Sequence, residues 1–213
     1  KIEVVFVLDT TGSMGGLMAI KRGACHLAGS HLLDTADGSY NVSYIRKYLP
    51  GRPVKLVTLV LRDNGLIVRR GNPKAIRGIA DLIRPDVGFI NRQTGSGKRI
   101  LLDYRLNQLG IDPAGITGYD VEEFTHMSVA VAVLSGSADA GLGIFAAAKA
   151  LDLDFIPVVT EQYDLVIPAE HYDTEHIRVL LDTIVSAEFK KRVQALGGYS
   201  TQNTGATIDV AAC

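Results

Sequence analysis

The sequence lacks the features of several protein classes. Its two cysteines, Cys25 within an apolar run and Cys213 at the end, form neither a disulfide framework nor a metal-finger spacing. No run approaches the roughly 20 apolar residues that cross a bilayer, and no basic-then-apolar signal segment opens the chain. We therefore expect no membrane span. We also expect the two cysteines to be free thiols in a reducing compartment, which favours a cytoplasmic location.

The chain also lacks an excess of either charge. It carries 22 basic and 23 acidic side chains, a formal net charge of -1, so no global field steers it to nucleic acid or to acidic membranes. We expect no direct nucleic-acid contact, and any anion site must be local. With 213 residues, 47% of them hydrophobic, the chain can bury the core of one α/β domain or of two small lobes.

Strands and helices alternate along most of the chain. The apolar run IEVVFVL at residues 2–8 predicts a buried strand, and after a polar turn a short helix ends at Gly23 before a strand at residues 26–29. Further helices are predicted near 44–49, 98–109, 127–134 and 145–151, and further strands at 54–61, 87–90, 138–142 and 155–159. This order predicts an α/β fold with mostly parallel sheets and flanking helices.

Two long segments predict a division into lobes. VKLVTLVLRDNGLIV and FIPVVTEQYDLVIP resemble extended crossings rather than flexible tethers. Two amphipathic helices, at about 174–185 and 187–196, follow one another without a strand between them. Such a pair is typical of a segment that connects one lobe to the other. We expect residues 1–62 and 163–213 in lobe 1 and residues 63–162 in lobe 2, with the two crossings as the hinge.

The loop DTTGSM joins the first predicted strand to the first helix. The amides of residues 12–14, the helix dipole and the hydroxyls of Thr10, Thr11 and Ser13 converge there, which is the geometry of an anion site. The alternative is that Thr11 or Ser13 only caps the helix.

A second strand-to-helix loop, NRQTGSGKR, has the same character. Ser96 and Gly97 open a helix, Arg92 precedes them, and Lys98 lies just inside. The planar fork of Arg and the point charge of Lys suit a tetrahedral dianion. The alternative is that both cations are solvated surface charges. The glycine spacing is not a Walker motif.

The segment THMSVA provides a weaker third candidate. Thr125 is expected to cap a helix with His126 in its first turn, after the acidic pair Glu122 and Glu123. A histidine at a helix start more often caps or packs, and the histidines show no metal-ligand spacing, so no metal site is predicted. Catalysis by Glu123 or His126 as acid or base is a further alternative.

A series of blocks from Gly12 to about Gly205 carries a family resemblance. They are GSMGGLMAIKRGACHLAGSHLLD, GLIVRRGNPKAIRGIADL, NRQTGSGKR, GYDVEEFTH, SADAGLGIFAAAKALDLDFIPV, EQYDL and LGGYSTQNTG. The series resembles the periplasmic-binding-protein-like (substrate-binding, type 2) domain of molybdopterin-biosynthesis proteins and of molybdate-type helix-turn-helix regulators, which is related to tungstate- and molybdate-binding proteins.

This resemblance implies a two-lobed ligand-binding domain, rather than an enzyme, that clamps molybdate, tungstate or a molybdenum-cofactor-related ligand as a sensor or carrier and requires no cofactor. The ligand roles that it implies fall on Thr10, Thr11, Ser13, Arg92, Ser96, Gly97 and Lys98, with Thr125 and His126 as weaker candidates. Lys98 stands where such binders usually have threonine, which favours a larger or more highly charged anion. The alternative under the same resemblance is a catalytic domain that acts on a molybdopterin intermediate.

The start of the chain leaves two further expectations. The resemblance implies an additional strand and helix upstream, and an upstream helix-turn-helix or molybdopterin-biosynthesis domain as a partner. Alternatively, VFVLDTTGSM alone resembles the metal-ion-dependent adhesion site of von Willebrand factor A domains, in which Asp9, Thr11 and Ser13 would hold a divalent cation. The chain after Met14 matches the binding-protein series instead.

Overall fold

The computed structural model describes Val5, Val7, Leu8 and residues 12–210. Its helices are α1 Gly12–Lys21, α2 Val42–Tyr48, α3 Gly97–Leu109, α4 His126–Ser135, α5 Phe145–Ala150, α6 Ala169–Tyr172, α7 Glu175–Val185 and α8 Ala187–Leu196. Its strands are β1 Ala28–Ser30, β2 Val54–Val68, β3 Phe89–Arg92, β4 Glu122–Glu123, β5 Ala140–Ile144, β6 Asp154–Pro168, β7 Tyr199–Ser200 and β8 Thr207–Val210. Short 3₁₀ helices occupy Ile79–Ile83 and Pro113–Gly115.

The described residues divide into two compact units. Unit 1 holds the residues up to 61, those at 162–195 and those from 200 onward, and unit 2 holds residues 62–161 and 196–199. The chain passes between the units within β2 and β6, each of which is 15 residues long. The hinge expected at these two segments stays a prediction.

Unit 1 is built on β1, the second half of β6, the first half of β2, and β8. Strand β1 pairs antiparallel with β6, and β8 pairs antiparallel with β2. Helix α1 packs closely on β1 at Gly16. A Cβ at this position would lie 2.8 Å from the Cβ of Ala28, so only glycine permits this approach. The core between these elements contains Leu17, Ile20, Ala28, Leu32, Ile45, Leu49, Val54, Leu56, Val166 and Val210.

Unit 2 places β3 between β4 and β5, parallel to both, while β5 runs antiparallel to the second half of β2. Helix α4 covers this sheet, and its core side chains meet those of the strands and of α5. The buried cluster contains Ile67, Ile90, Val129, Ala130, Val133, Ala138, Ala147, Ala148 and Leu153. The turn before β4 uses Gly118 at φ +90°, where a Cβ would lie 2.1 Å from the carbonyl oxygen of Phe89.

The predicted α/β class and two-lobed binding-protein-like fold are confirmed, whereas the strand directions differ from expectation. The pairs of β1 with β6, β2 with β5 and β2 with β8 are antiparallel, and only those of β3 with β4 and with β5 are parallel among the pairings resolved here. Alternation of helices and strands does not fix direction, because β5 and β8 return alongside the long β2 in the opposite sense.

The predicted strand at residues 2–8 falls largely outside the described residues. Val5, Val7 and Leu8, which are described, lie in no helix or strand and have exposed side chains. Across the described part of the chain, no helix combines the length and the apolar character that spanning a bilayer requires.

Candidate functional site

Buried charge in unit 2 gathers where β3 ends and where α3 and α4 begin. Arg92 is the last residue of β3, Lys98 the second of α3 and His126 the first of α4. Arg62 of β2 and Glu161 of β6 complete the group. We call Arg62, Arg92, Lys98, His126 and Glu161 the cationic cluster.

The start of α3 follows the chemistry of its loop. Gly95 adopts φ +82°, and Ser96 is the N-cap, its hydroxyl accepting a hydrogen bond from the Arg99 amide at 3.2 Å. The first-turn amides of Gly97 and Lys98 have no intrahelical acceptor. This loop thus provides the positive end of a helix beside the buried cations.

Arg92 is held firmly by the turn that leads into α4. Its Nε donates to the carbonyl oxygen of Glu123 at 3.1 Å and to Oε1 of Gln93 at 3.0 Å, and Nη2 donates to the carbonyl oxygen of Phe124 at 2.8 Å. Nη1 lies 3.2 Å from Nδ1 of His126. Each terminal nitrogen carries a second N–H, for which residues 12–210 provide no acceptor in this structure, and the side chain is only 8% exposed.

His126 is neutral in this arrangement. A guanidinium can only donate, so Nδ1 of His126 accepts from Arg92 and the ring proton resides on Nε2. Burial, and then the positive charges of Lys98, Arg62 and Arg92, lower the pKa of His126 to about 2. The ring therefore adds a neutral N–H donor to the site.

Lys98 and Arg62 share one carboxylate. Nζ of Lys98 donates to Oε2 of Glu161 at 2.5 Å, and Nε of Arg62 donates to Oε1. Lys98 and Glu161 are nearly fully buried. Burial lowers the pKa of Lys98 to about 8, although the charge of Glu161 acts in the opposite direction. Lys98 is therefore paired with the buried carboxylate of Glu161.

The cluster holds more positive than negative charge. Within the cluster three cations, Arg62, Arg92 and Lys98, accompany one carboxylate, that of Glu161, to which Lys98 and Arg62 both donate. Within the described residues Arg92 forms no ion pair with a carboxylate, and burial together with the charge of Arg62 lowers its pKa. A buried guanidinium without a counter-charge is costly, so Arg92 favours a nearby anion.

The remaining candidates near α4 have mainly local roles. The hydroxyl of Thr125 accepts from the Ser128 amide at 2.9 Å in a capping box, which confirms the predicted cap. Glu122 accepts from Arg99 and from Thr94. Glu123 contacts Arg92 through its backbone carbonyl oxygen, so its carboxyl group takes no part in this contact.

The first predicted anion loop belongs to unit 1. Ser13 lies in the first turn of α1 and is 9% exposed, and its hydroxyl accepts from the His31 amide at 3.2 Å. The His31 ring stacks on Tyr163 with centroids 5.3 Å apart. Thr10 and Thr11 lie outside the described residues.

Unit 2 thus brings Arg92, Ser96, Gly97 and Lys98 together and adds His126 to them. Two cluster members, Arg62 and Glu161, were missed by the sequence analysis. Each is a charge in the middle of a long apolar segment, LVLRDNGLIV and IPVVTEQYDLVIP. A charge at such a position needs a buried partner, and the opposite signs in the two segments were the available signal.

No group of three or more His, Cys, Asp or Glu side chains suited to a metal ion occurs within the described part of the chain. The adhesion-site hypothesis depends on Asp9 and Thr11, which lie outside that part. Cys25 is a half-buried free thiol whose pKa is raised by burial.

Curated relatives share much of the sequence. The chain is 40% identical to the uncharacterised protein YvgK of Bacillus subtilis (strain 168) over 197 residues, which cover 92% of this chain and 63% of YvgK. It therefore spans less than two thirds of that relative's length.

Solved structures share the fold at low identity. A putative phosphate ABC transporter substrate-binding protein with bound phosphate from Clostridium perfringens aligns with a TM-score of 0.60 and 13% identity, covering 87% of this chain and 83% of that one. The substrate-binding domain of a putative molybdenum ABC transporter from Clostridium difficile aligns with a TM-score of 0.51 and 18% identity, covering 89% and 83%.

A family match spans most of the molecule. Residues 3–185 match the PBP superfamily domain, a range that includes the DTTGSM loop as well as the whole cationic cluster. The chain is therefore a member of the PBP superfamily of substrate-binding domains.

Proposed function

We propose that unit 2 binds a small oxoanion at the cationic cluster. The observation that carries this proposal is the buried guanidinium of Arg92, which is 8% exposed, forms no ion pair with a carboxylate of the described residues and keeps two unused N–H groups. A guanidinium can bind two oxygens of one anion through two of its N–H groups.

The other groups of the loop have complementary roles in this proposal. The amides of Gly97 and Lys98 supply neutral donors at the start of α3, and the Nε2–H of His126 supplies another. Lys98 and Arg62, which both donate to Glu161, add positive charge to the site. The anion is then held by fixed donors that require little reorganisation on binding.

Two structural neighbours support the choice of ligand. One is described as binding phosphate and the other as part of a molybdenum transporter. Molybdate, tungstate and phosphate are therefore the first anions to test, and a molybdenum-cofactor-related ligand is the next. A role as sensor or carrier in molybdopterin biosynthesis or transcription regulation belongs to the same proposal.

Isothermal titration with molybdate, tungstate, phosphate and sulfate tests the proposal, with magnesium as the control for a cation site. Saturable binding of at least one anion is expected. Arg92→Ala should weaken it by about 30-fold or more, because the remaining buried charges lose the donor that contacts the anion.

The matched control is Arg77→Ala, which removes the same charge from an exposed position of unit 2. It should leave the affinity within about twofold. If none of the four anions binds the folded protein, or if both variants bind as the wild type does, the proposed function is wrong.

A further inference from the structure

Helix α4 is apolar on both sides. Val129, Ala130 and Val133 are fully buried against the sheet of unit 2. A surface helix normally pairs one apolar stripe with a polar opposite face. On α4 the opposite side is apolar as well, so part of its hydrophobic surface has no partner in the described chain.

The outward side chains form one continuous surface. Met127, Val131 and Leu134 are 44%, 50% and 52% exposed, and their spacing of four and three residues places them on one side of the helix. Phe124, which is 70% exposed, and Val121, which is 57% exposed, precede the helix. We call these five residues the α4 face.

A groove runs beside the α4 face. It encloses about 550 Å³, and Val121 and Val131 of the face form part of its wall together with Gly118 and Ala132. Ser128, Ser135 and Ser137 line it as well, and Glu123 is its one charged lining residue within the described chain. Phe124, an exposed residue, directly follows Glu123 of the groove wall.

We propose that a second copy of this chain docks on the α4 face in a two-fold symmetric dimer. The five side chains leave on the order of 400 Å² of apolar surface open, the size of the largest patch on a typical monomer. A stable dimer buries about 800 Å² on each partner, of which roughly 60% is apolar. The α4 face therefore provides most of the apolar area that such an interface needs.

The shape of the surface favours a copy of itself as the occupant. In a two-fold interface the same patch serves both partners, so a protrusion must lie beside the cavity that receives it. Phe124 and the groove meet this condition on one surface. In the proposed dimer each Phe124 ring enters the groove of the other copy.

Sedimentation equilibrium over a wide protein concentration range tests this proposal. The wild type should fit a monomer–dimer equilibrium. Val131→Glu and Phe124→Asp should each raise the dimer dissociation constant by about 30-fold or more, because each places a charge at the centre of the interface. Both side chains are at least half exposed in the monomer, so the folded state should tolerate either change.

Leu109→Glu is the matched control, because Leu109 ends α3 in the same unit and is 53% exposed. It should leave the dissociation constant within about twofold. Hydrogen exchange at low and high protein concentration provides an independent measurement, in which protection should increase within residues 117–137, which hold the α4 face and the groove residues named above, and not around Leu109.

Three outcomes would overturn the proposal. A wild type that stays monomeric throughout would mean that a different molecule covers the face. A dimer that survives both α4 variants would have its interface elsewhere. Masses that grow beyond the dimer would show head-to-tail rather than two-fold association.

Discussion

Two buried polar networks, one in each unit, differ in how their charge is satisfied. In unit 1 the fully buried Asp164 accepts from Nδ2 of Asn41 at 2.8 Å and from Nε2 of Gln162 at 2.9 and 3.0 Å. Asn41 in turn accepts from the Ser30 hydroxyl and from the Leu32 amide, both at 2.8 Å. A carboxylate is therefore solvated by neutral donors.

In the cationic cluster of unit 2 the donors are charged instead: Lys98 and Arg62 both donate to the carboxylate of Glu161, and Arg92 is a third cation beside them. Burial shifts pKa values in opposite directions in the two networks, raising that of Asp164 and lowering that of Lys98. Asn41 even adopts φ 68° while it makes these bonds, which indicates a structural role for the first network. The second network has one carboxylate for three cations, and in the proposed function an anionic ligand completes it.

The largest effect is expected from removing the carboxylate of the cationic cluster. Glu161→Gln removes the buried carboxylate to which Arg62 and Lys98 both donate and should lower the free energy of unfolding by about 3–5 kcal/mol. Urea denaturation measures this change. Because the cationic cluster then holds no carboxylate, an anion that binds should restore part of the lost stability.

Glu188→Gln is the control for that substitution, since Glu188 forms an exposed ion pair with Arg192 one helical turn away. It should cost about 0.5 kcal/mol or less. Equal losses from the two variants would mean that Glu161 does not neutralise a strained charge cluster.

The same change in the other unit should have a smaller effect. In Asp164→Asn the new amide nitrogen faces the donor nitrogen of Asn41 or of Gln162, so one buried N–H group has no acceptor. The free energy of unfolding should fall by about 1–3 kcal/mol, the penalty of an unsatisfied buried group. The variant should leave anion affinity unchanged, in contrast to Glu161→Gln. A parallel change in affinity would contradict the structural role assigned to this network.

The pH dependence of stability sharpens this result. Because the pKa of Asp164 is raised in the folded state, that state binds the proton more tightly than the unfolded chain does. The contribution of Asp164 to stability therefore increases as the pH falls from above its folded pKa toward 3.8. The stability difference between the wild type and Asp164→Asn should grow in that direction.

Local patterns predicted the elements better than their pairing. The helices at 98–109 and 127–134 appear as α3 and α4 within one residue of these bounds, because caps such as Ser96 and Thr125 act over a single turn. The predicted strands at 54–61 and 155–159 continue to 68 and 168 as single strands, over the two segments that were predicted as extended crossings. Which strands pair with them was not predicted, because those partners lie far away in sequence.

The candidate site shows the same limit. Arg92, Ser96, Gly97 and Lys98 were found because they lie within seven residues of sequence, at one strand-to-helix loop. Glu161 lies 63 residues beyond Lys98, its hydrogen-bond donor. No local pattern reports a contact of that separation, and for this reason Lys98 was predicted as a direct ligand without its buried partner.

The smallest expected effect concerns the charge of Lys98. It distinguishes electrostatic attraction between Lys98 and the anion from a direct contact between them. The pKa of Lys98 is lowered to about 8, so its ammonium loses a proton as the pH rises past that value. Molybdate keeps its charge in this range, so its affinity should fall roughly fivefold, about 1 kcal/mol, as the site loses one positive charge. Lys98→Met should bind molybdate more weakly at neutral pH and show no such fall.

Two outcomes would contradict this prediction. A fall of the same size in Lys98→Met would mean that another group titrates. A wild-type affinity that stays constant up to about pH 10.5, the ordinary pKa of lysine, would show that Glu161 keeps Lys98 charged.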